Sequence, residues 1–356
     1  MNYRCHGDYF ERLEDFGCFG QLIIVTFTIK LDLKIQNYII IIMTTKQFLL
    51  NGFKMLKSNL VKDNLTGFKI KAYNSAIKAI ESHDGDTIND LNDVKGLTKK
   101  MQEKAADMMT NTSMQKDIKN NVEKQNAIEL FSNVMAIGDV KAKELVNTHN
   151  IMSIEQLNAN QNLLNDKQKL GLKHYDDFLE RIPRKEMDRH NLFLENALHA
   201  LHLEFCVVGS YRRGLVSSGD IDVLITSTVN SQSDDVLKTI VTLLEKAKYL
   251  SDSFAFGKEK YLGTAKIPRF KRFRRIDLLY INKAKYPFAL LYFTGSQQFN
   301  IKMRQIALDK GLSLSEHGFK YLEGDLKGEF VKDVFKTEMD IFKYIGMEYV
   351  EPKDRK

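Results

Sequence analysis

The stretch Gly209-Ser210-Tyr211-Arg212-Arg213-Gly214, followed at once by Ser217-Ser218-Gly219-Asp220-Ile221-Asp222, limits what this chain can fold into more than any other part of it. Apolar runs at 205–208 and 223–225 flank it, so the pattern is strand, turn, strand. Residues two apart on a strand share a face, which sends Asp220 and Asp222 out together and Ile221 into the core. Two adjacent carboxylates repel unless cations lie between them, and hard oxygen ligands with room for water and phosphate oxygens suit Mg²⁺. The turn supplies glycine backbone, the Ser210 hydroxyl, and Arg212 and Arg213 as phosphate forks. A third carboxylate, Asp277, sits in a further short strand pattern, Arg274-Arg275-Ile276-Asp277-Leu278-Leu279-Tyr280. An Asp-x-Asp pair alone describes many solvated strand edges. Joined to a Gly-Ser pair separated from Gly219 by eight residues, and to a later strand Asp, it describes a phosphate-handling site.

A chain of 356 residues has room for two or more domains. Its 53 basic and 46 acidic residues leave a charge of +7, which favours a polyanionic partner. Hydrophobic residues make up 43%, too many for general disorder. Cys5, Cys18 and Cys206 have neither metal-ligand spacing nor an even framework, which points to a reducing, intracellular setting. Residues 1–42 form an atypical leader, expected to be disordered or not native, with Met43 as the true start. Its apolar bursts at 22–29 and 38–43 fall short of the roughly 20 residues a membrane span needs, and Asp8, Glu11, Glu14 and Asp15 do not suit a signal peptide. No membrane association is expected.

From Thr44 the pattern is helical and lysine-rich, with Phe68, Ala72, Ala76, Ile77 and Ile80 on one stripe. Two related turns follow, Val94-Lys95-Gly96-Leu97-Thr98 and Val134-Met135-Ala136-Ile137-Gly138. Both resemble helix-hairpin-helix motifs, which offer backbone N–H groups to DNA phosphates without reading sequence. Each keeps one of the motif's two glycines. Pro183 is expected to break a helix at the entrance to the Gly209–Asp222 region, with a new helix over 186–202. The run 266–275, basic with Phe270 and Phe273 interleaved, is expected along a DNA path.

Taken together, Gly209-Ser-Tyr-Arg-Arg-Gly, Ser217-Ser-Gly-Asp-Ile-Asp, Asp277, the paired hairpins and the C-terminal 340–355 resemble the family X DNA polymerases of the nucleotidyltransferase superfamily, on the polymerase-beta branch, over about residues 60–356. The resemblance implies an α+β chain. A helical lyase and 5′-phosphate-binding domain with the first hairpin would occupy 43–121, and a helical duplex-binding subdomain with the second hairpin 122–181. A catalytic palm with a mixed sheet would occupy 182–284, and a C-terminal α/β subdomain for the nascent base pair 285–356. The implied activity is template-directed gap filling from dNTPs on gapped or nicked double-stranded DNA, with 5′-deoxyribose-phosphate lyase activity, in base excision repair or a viral equivalent. The protein is expected as a monomer, in the nucleus or, if the source is viral, associated with the virus. Alternatives are a template-independent or end-joining transferase of the same family, or a non-catalytic hairpin DNA-binding protein.

Residue by residue, the resemblance makes Asp220, Asp222 and Asp277 the ligands of two Mg²⁺ ions, with Asp277 catalytic and Arg275 orienting it. Nucleotide contacts fall on Arg181, Ser210, Arg213, Gly219, Asp220, Tyr292, Phe293, Gly295 and Asn300. DNA contacts fall on Lys69, Tyr73, Lys100, Lys260 and Arg304. Lys104 is the implied lyase nucleophile. An imine-forming lysine acts as a neutral amine, and neighbouring cations such as Lys100 and Lys69 favour that form. Backbone carbonyls of Asn92, Val94 and Leu97, and of Ser132, Val134 and Ile137, are the implied ligands of Na⁺ or K⁺. Three positions depart from the family pattern: Gln297 for an aspartate, Leu279 for an arginine and His317 for a tyrosine.

Overall fold

The computed structural model describes residues 44–62, 67–201, 203–227 and 235–356, so the expected leader lies outside the described residues. The chain divides into two compact units at Thr110/Asn111.

The first unit holds helices α1 (Thr45–Lys62), α2 (Phe68–Glu81) and α3 (Lys99–Thr110). Its core is small: Leu49, Phe53, Tyr73, Ile80, Ala105 and Met108 are buried. The stripe read from the sequence is the face that packs, since Ala76, Ile77 and Ile80 are buried, but Phe68 at its start is 90% exposed. The turn between α2 and α3 puts Gly96 at φ 88, in the left-handed region that favours glycine.

The second unit opens with helices α4 (Thr112–Ser132), α5 (Asp139–Asn147), α6 (Ile154–Ala159), α7 (Asp166–Lys173) and α8 (Tyr175–Leu179). The domain boundary expected at 121/122 therefore falls within the continuous helix α4. Between α4 and α5 the second turn repeats the backbone bonding of the first: Ile137 N–H donates to Val134 C=O at 3.0 Å as Leu97 N–H does to Val94 C=O at 3.1 Å. Here the position of Gly96 is taken by Ala136, at φ 67.

Next come β1 (Ile182–Pro183), α9 (Arg184–Leu198), β2 (Leu203–Val207), α10 (Gly209–Arg212), β3 (Ser217–Ser218) and β4 (Ile221–Ser227). They are followed by α11 (Val236–Lys246), β5 (Leu250–Phe256), β6 (Lys260–Ala265) and β7 (Arg274–Tyr280). Pro183 is the N-cap residue of α9, held in extended backbone, and the helix begins at Arg184, two residues before the expected Glu186. Strands β2, β4, β7, β6 and β5 make one mixed sheet in that order, with β4 and β7 parallel and the other neighbours antiparallel. α9 and α11 cover it through Leu194, Leu198, Ile240 and Leu244, against Ile221, Val223, Ile276 and Leu278. The alternation that buries these four strand residues points Asp222 and Asp277 the other way.

The C-terminal part is α12 (Tyr286–Thr294), α13 (Gln297–Leu308), the hairpin β8 (Leu312–Ser315) and β9 (Gly318–Tyr321), and α14 (Glu338–Tyr344). Its core is aromatic, with Phe288, Phe299, Phe319, Phe335 and Phe342 buried together.

Candidate active site

The parallel pairing of β4 and β7 sets Asp222 opposite Asp277 in register. Asp220 precedes β4 and faces the same side. Gly209 closes the third side: at φ 58 it lets the start of α10 approach so closely that a Cβ there would lie 2.4 Å from Asp222 Oδ2. Burial, then the Asp220 and Asp277 charges, push the Asp222 carboxyl up to about 7. Asp277 is also raised, chiefly by burial. Cations already lean on this cluster. Arg275 donates to Asp220 Oδ2 at 2.9 Å, and Lys260 Nζ lies 3.5 Å from Asp277 Oδ2.

One expectation changes here. Arg275 holds Asp220, not Asp277. Lys260, expected on DNA, points to the Asp277 carboxylate, because β6 pairs antiparallel with β7 and brings its first residue alongside the site. Among the described residues, no three His, Cys, Asp or Glu side chains are gathered closely enough to hold an ion.

An open cleft of about 720 Å³ runs from Asp220 and Asp222 to α12 and α13. Its lining includes every residue expected at the nucleotide: Arg181, Ser210, Arg213, Gly219, Asp220, Tyr292, Phe293, Gly295 and Asn300. Arg304, Gln297, Gly209 and Asp222 join them, together with Leu215 and Ile301, which the sequence did not single out. Pairing of β1 with β3 brings Arg181 to Ser217, where its guanidinium donates to the hydroxyl at 2.7 Å and the carbonyl at 2.8 Å. Ser210 donates to Ser218 at 2.9 Å. Arg213 donates to the Thr294 carbonyl at 2.6 Å, and its Nη1 would lie 3.2 Å from a Cβ on Gly295. Asn300 donates to the Tyr292 carbonyl at 2.8 Å, and the Arg304 guanidinium stacks 5.0 Å from the Tyr292 ring.

Arg212 is not a phosphate fork. It turns away from the cleft into a bidentate pair with Glu338 at 3.0 and 2.7 Å and a bond to Thr294 at 2.6 Å. Arg355, fully buried, donates at 2.7 Å to Glu338 Oε1, the oxygen that Arg212 Nη1 also reaches. This network ties α10 to α14, and nothing local in the sequence announces it. The basic run 266–275 is also divided: Arg274 is 4% exposed and bonds Glu186 at 2.7 and 2.9 Å, while Phe273 packs edge-on to His174. Arg269 and Lys271 are exposed. Of the departures, Gln297 lines the cleft, Leu279 packs beneath it near Tyr286 and Ala289, and His317 lies beside Glu316 on the surface.

In the first unit, Lys104 Nζ lies 6.0 Å from the centre of the Tyr73 ring. Tyr73 is a core residue, 7% exposed and packed on Phe53, while Lys69 and Lys100 are exposed. At the hairpins, Val94, Leu97, Val134 and Ile137 are buried, with Asn92 and Ser132 outside.

A mixed sheet whose neighbouring strands carry Asp222 and Asp277, with Asp220 just before one of them, next to a Gly-Ser turn and an arginine-lined cleft, defines a palm of the nucleotidyltransferase type. The DNA polymerase beta palm model matches residues 181–283 and its thumb model residues 289–356. The model for the fingers domain of DNA polymerase lambda matches residues 129–179. DNA polymerase lambda of Rattus norvegicus is 32% identical over 309 residues, covering 82% of this chain and 53% of that protein. DNA polymerase lambda of Arabidopsis thaliana is 27% identical over 304 residues, covering 80% and 57% respectively. DNA nucleotidylexotransferase of Ambystoma mexicanum is 26% identical over 277 residues, covering 66% and 53%. The chain thus spans about half the length of the curated relatives it matches. A solved Leishmania infantum polymerase beta, in a ternary primer/template complex, superposes with a TM-score of 0.60 at 29% identity, covering 66% of this chain and 99% of that one. The chain belongs to the family X DNA polymerases.

Proposed function

We propose that this protein is a template-directed, gap-filling DNA polymerase with 5′-deoxyribose-phosphate lyase activity, working as a monomer on gapped or nicked duplex DNA. The observation that carries the polymerase reading is the single cleft that gathers two carboxylates, the Gly-Ser turn and all the nucleotide-contact positions. The residues present suit Mg²⁺: hard oxygen donors only, with Asp222 buried among like charges that a divalent cation would relieve. Asp220 and Asp222 would hold both ions and Asp277 would join one. When bound, the ions acidify the primer 3′-OH and neutralise the triphosphate.

The chain's own groups do the rest. Ser210, Arg213, Arg181 and the Gly219 backbone hold the phosphates. The Tyr292–Gly295 backbone crowds the sugar 2′ position and disfavours a ribose. Asn300 and Arg304 leave Tyr292 for the minor-groove edge of the new pair. In the first unit, Lys69 and Lys100 bind the 5′-phosphate, and Lys104 adds to the C1′ aldehyde, loses water to form an imine, and β-elimination from that imine releases the 5′-phosphate end of the DNA. The hairpin carbonyls take Na⁺ or K⁺ when DNA phosphates are near. Among the described residues, no helix is long and apolar enough to cross a membrane.

Incorporation on a one-nucleotide-gapped duplex, with and without a 5′-phosphate, tests the reading. One templated addition, faster with the phosphate, is the expected result. No addition overturns it, and equal tailing of a single-stranded primer would favour the template-independent alternative.

A further inference from the structure

The second hairpin turn is braced in a way that the first is not. Ala136 adopts φ 67, a left-handed conformation that costs an L-residue about 1–2 kcal/mol unless its surroundings hold it. Helix α7 does the holding. A Cβ on Gly171 would lie 1.9 Å from the Met135 carbonyl oxygen and 2.8 Å from its carbon, so helix backbone abuts turn backbone directly. One turn earlier, the buried Gln168 donates to the Ala136 carbonyl at 3.4 Å. Around the first turn, a Cβ on Gly96 would meet only the Ala79 methyl, at an ordinary 3.7 Å.

The far end of the same helix is anchored in the palm. His174, 2% exposed, shares a hydrogen bond with Asp252 Oδ2 at 2.6 Å, and Lys173 Nζ lies 2.8 Å from the same oxygen. Asp252 belongs to β5, and its N–H donates to Thr264 of β6, the neighbour of β7 and Asp277. The His174 ring is held on its other sides by Phe178 and by Phe273, which leads into β7. Eight residues of helix make a stiff element about 12 Å long.

We propose that α7 is a positioning strut: Gly171 and Gln168 hold the second hairpin in its DNA-gripping shape, and His174, Lys173 and Asp252 fix that hairpin to the catalytic sheet. Duplex held at the hairpin is then presented to Asp277 at one set distance. The proposal rests on the DNA-binding reading of the hairpin, and it separates two functions that a merely structural helix would not.

The test compares two variants of the full chain on gapped duplex at fixed salt, by DNA affinity and by single-turnover incorporation at saturating DNA. Gly171→Ala should weaken DNA binding about tenfold while the saturated rate stays within about twofold. Asp252→Asn should leave affinity within about twofold and slow the saturated step about tenfold, since a small misplacement of reacting atoms is costly. Adding Ala136→Gly to Gly171→Ala should restore most of the affinity, because glycine lets the turn shift without strain. If Gly171→Ala does not fold, Gln168→Ala should give the same split at smaller size. Without DNA, hydrogen exchange at the Ile137 amide should quicken in Gly171→Ala and not in Asp252→Asn. Parallel losses of affinity and rate in both variants, or no rescue, or unchanged exchange at Ile137, would overturn the strut. A wild type inert on gapped DNA but with the expected exchange pattern would overturn the polymerase reading alone.

Discussion

The carboxylate cleft of the second unit and the lysine cluster of the first are both sites made of like charges, and they are built in opposite ways. In the cleft the charges are set into a sheet, and burial pushes the Asp222 and Asp277 carboxyls up. In the first unit Lys69 and Lys100 stand in solvent on a helix surface, and only Lys104 is half-buried, near Tyr73. Burial makes crowded charge expensive, so the cleft needs counter-ions and comes with Arg275 and Lys260 built in. Exposure makes crowded charge cheap, so the lysines need none. The two sites should therefore fail independently and respond differently to pH and salt.

The largest expected effect is on the cleft. Asp277→Ala should lower incorporation by roughly 10³-fold while sparing DNA affinity and borohydride trapping of an abasic-site 5′ end. Near-normal extension by that variant in Mg²⁺ would break the assignment. Lys104→Ala should show the mirror image, losing most of the trapped adduct in EDTA and keeping incorporation. Trapping that disappears instead in Lys100→Ala or Lys69→Ala would move the nucleophile.

Acid stability sharpens the contrast between paired and unpaired buried charge. Glu186, beside His190 and forked by buried Arg274, is lowered to about 2 from 4.5. A carboxyl depressed on folding stabilises fully above its unfolded pKa, and that share is lost as pH falls from 4.5 through 2. Its size is on the order of 3 kcal/mol. Glu186→Gln should flatten the acid limb of denaturant unfolding between pH 4.5 and about pH 2; an unchanged limb would show that the pair contributes nothing net.

Salt gives a gentler test: affinity for gapped DNA should fall steeply with salt, and Lys69→Ala or Lys100→Ala should each reduce the slope by about one. A slope unaltered in both would remove the 5′ end from this surface. Smallest of all, Ala136→Gly should stabilise the second unit by about 1 kcal/mol, read as a rise in unfolding midpoint, while Gly96→Ala should destabilise the first by a similar amount.

Much of the cleft was legible because it depends on short-range geometry. Alternation on a strand is enough to put Asp220 and Asp222 on one face and Ile221 inside, wherever the strand ends up. Capping at Pro183 and the two hairpin turns are likewise local matters of φ and missing donors. The family resemblance carried the nucleotide positions further, and all nine of those residues line the cleft.

What stayed hidden depends on partners far along the chain. Arg212 and Arg213 are neighbours of one residue type, yet Glu338, 126 positions away, claims the first and leaves the second in the cleft. Lys260 meets Asp277, and Arg275 meets Asp220, only because of how β6, β7 and β4 are registered. Gly171 looks like an ordinary helix glycine until the Met135 carbonyl is found where its Cβ would be. The sequence by itself determined which residues could carry the chemistry, since residue type and short spacing are written directly into it. Only the tertiary structure decided which charge each arginine answers and which backbone each helix leans on, because those choices are made by burial, and burial belongs to the whole fold.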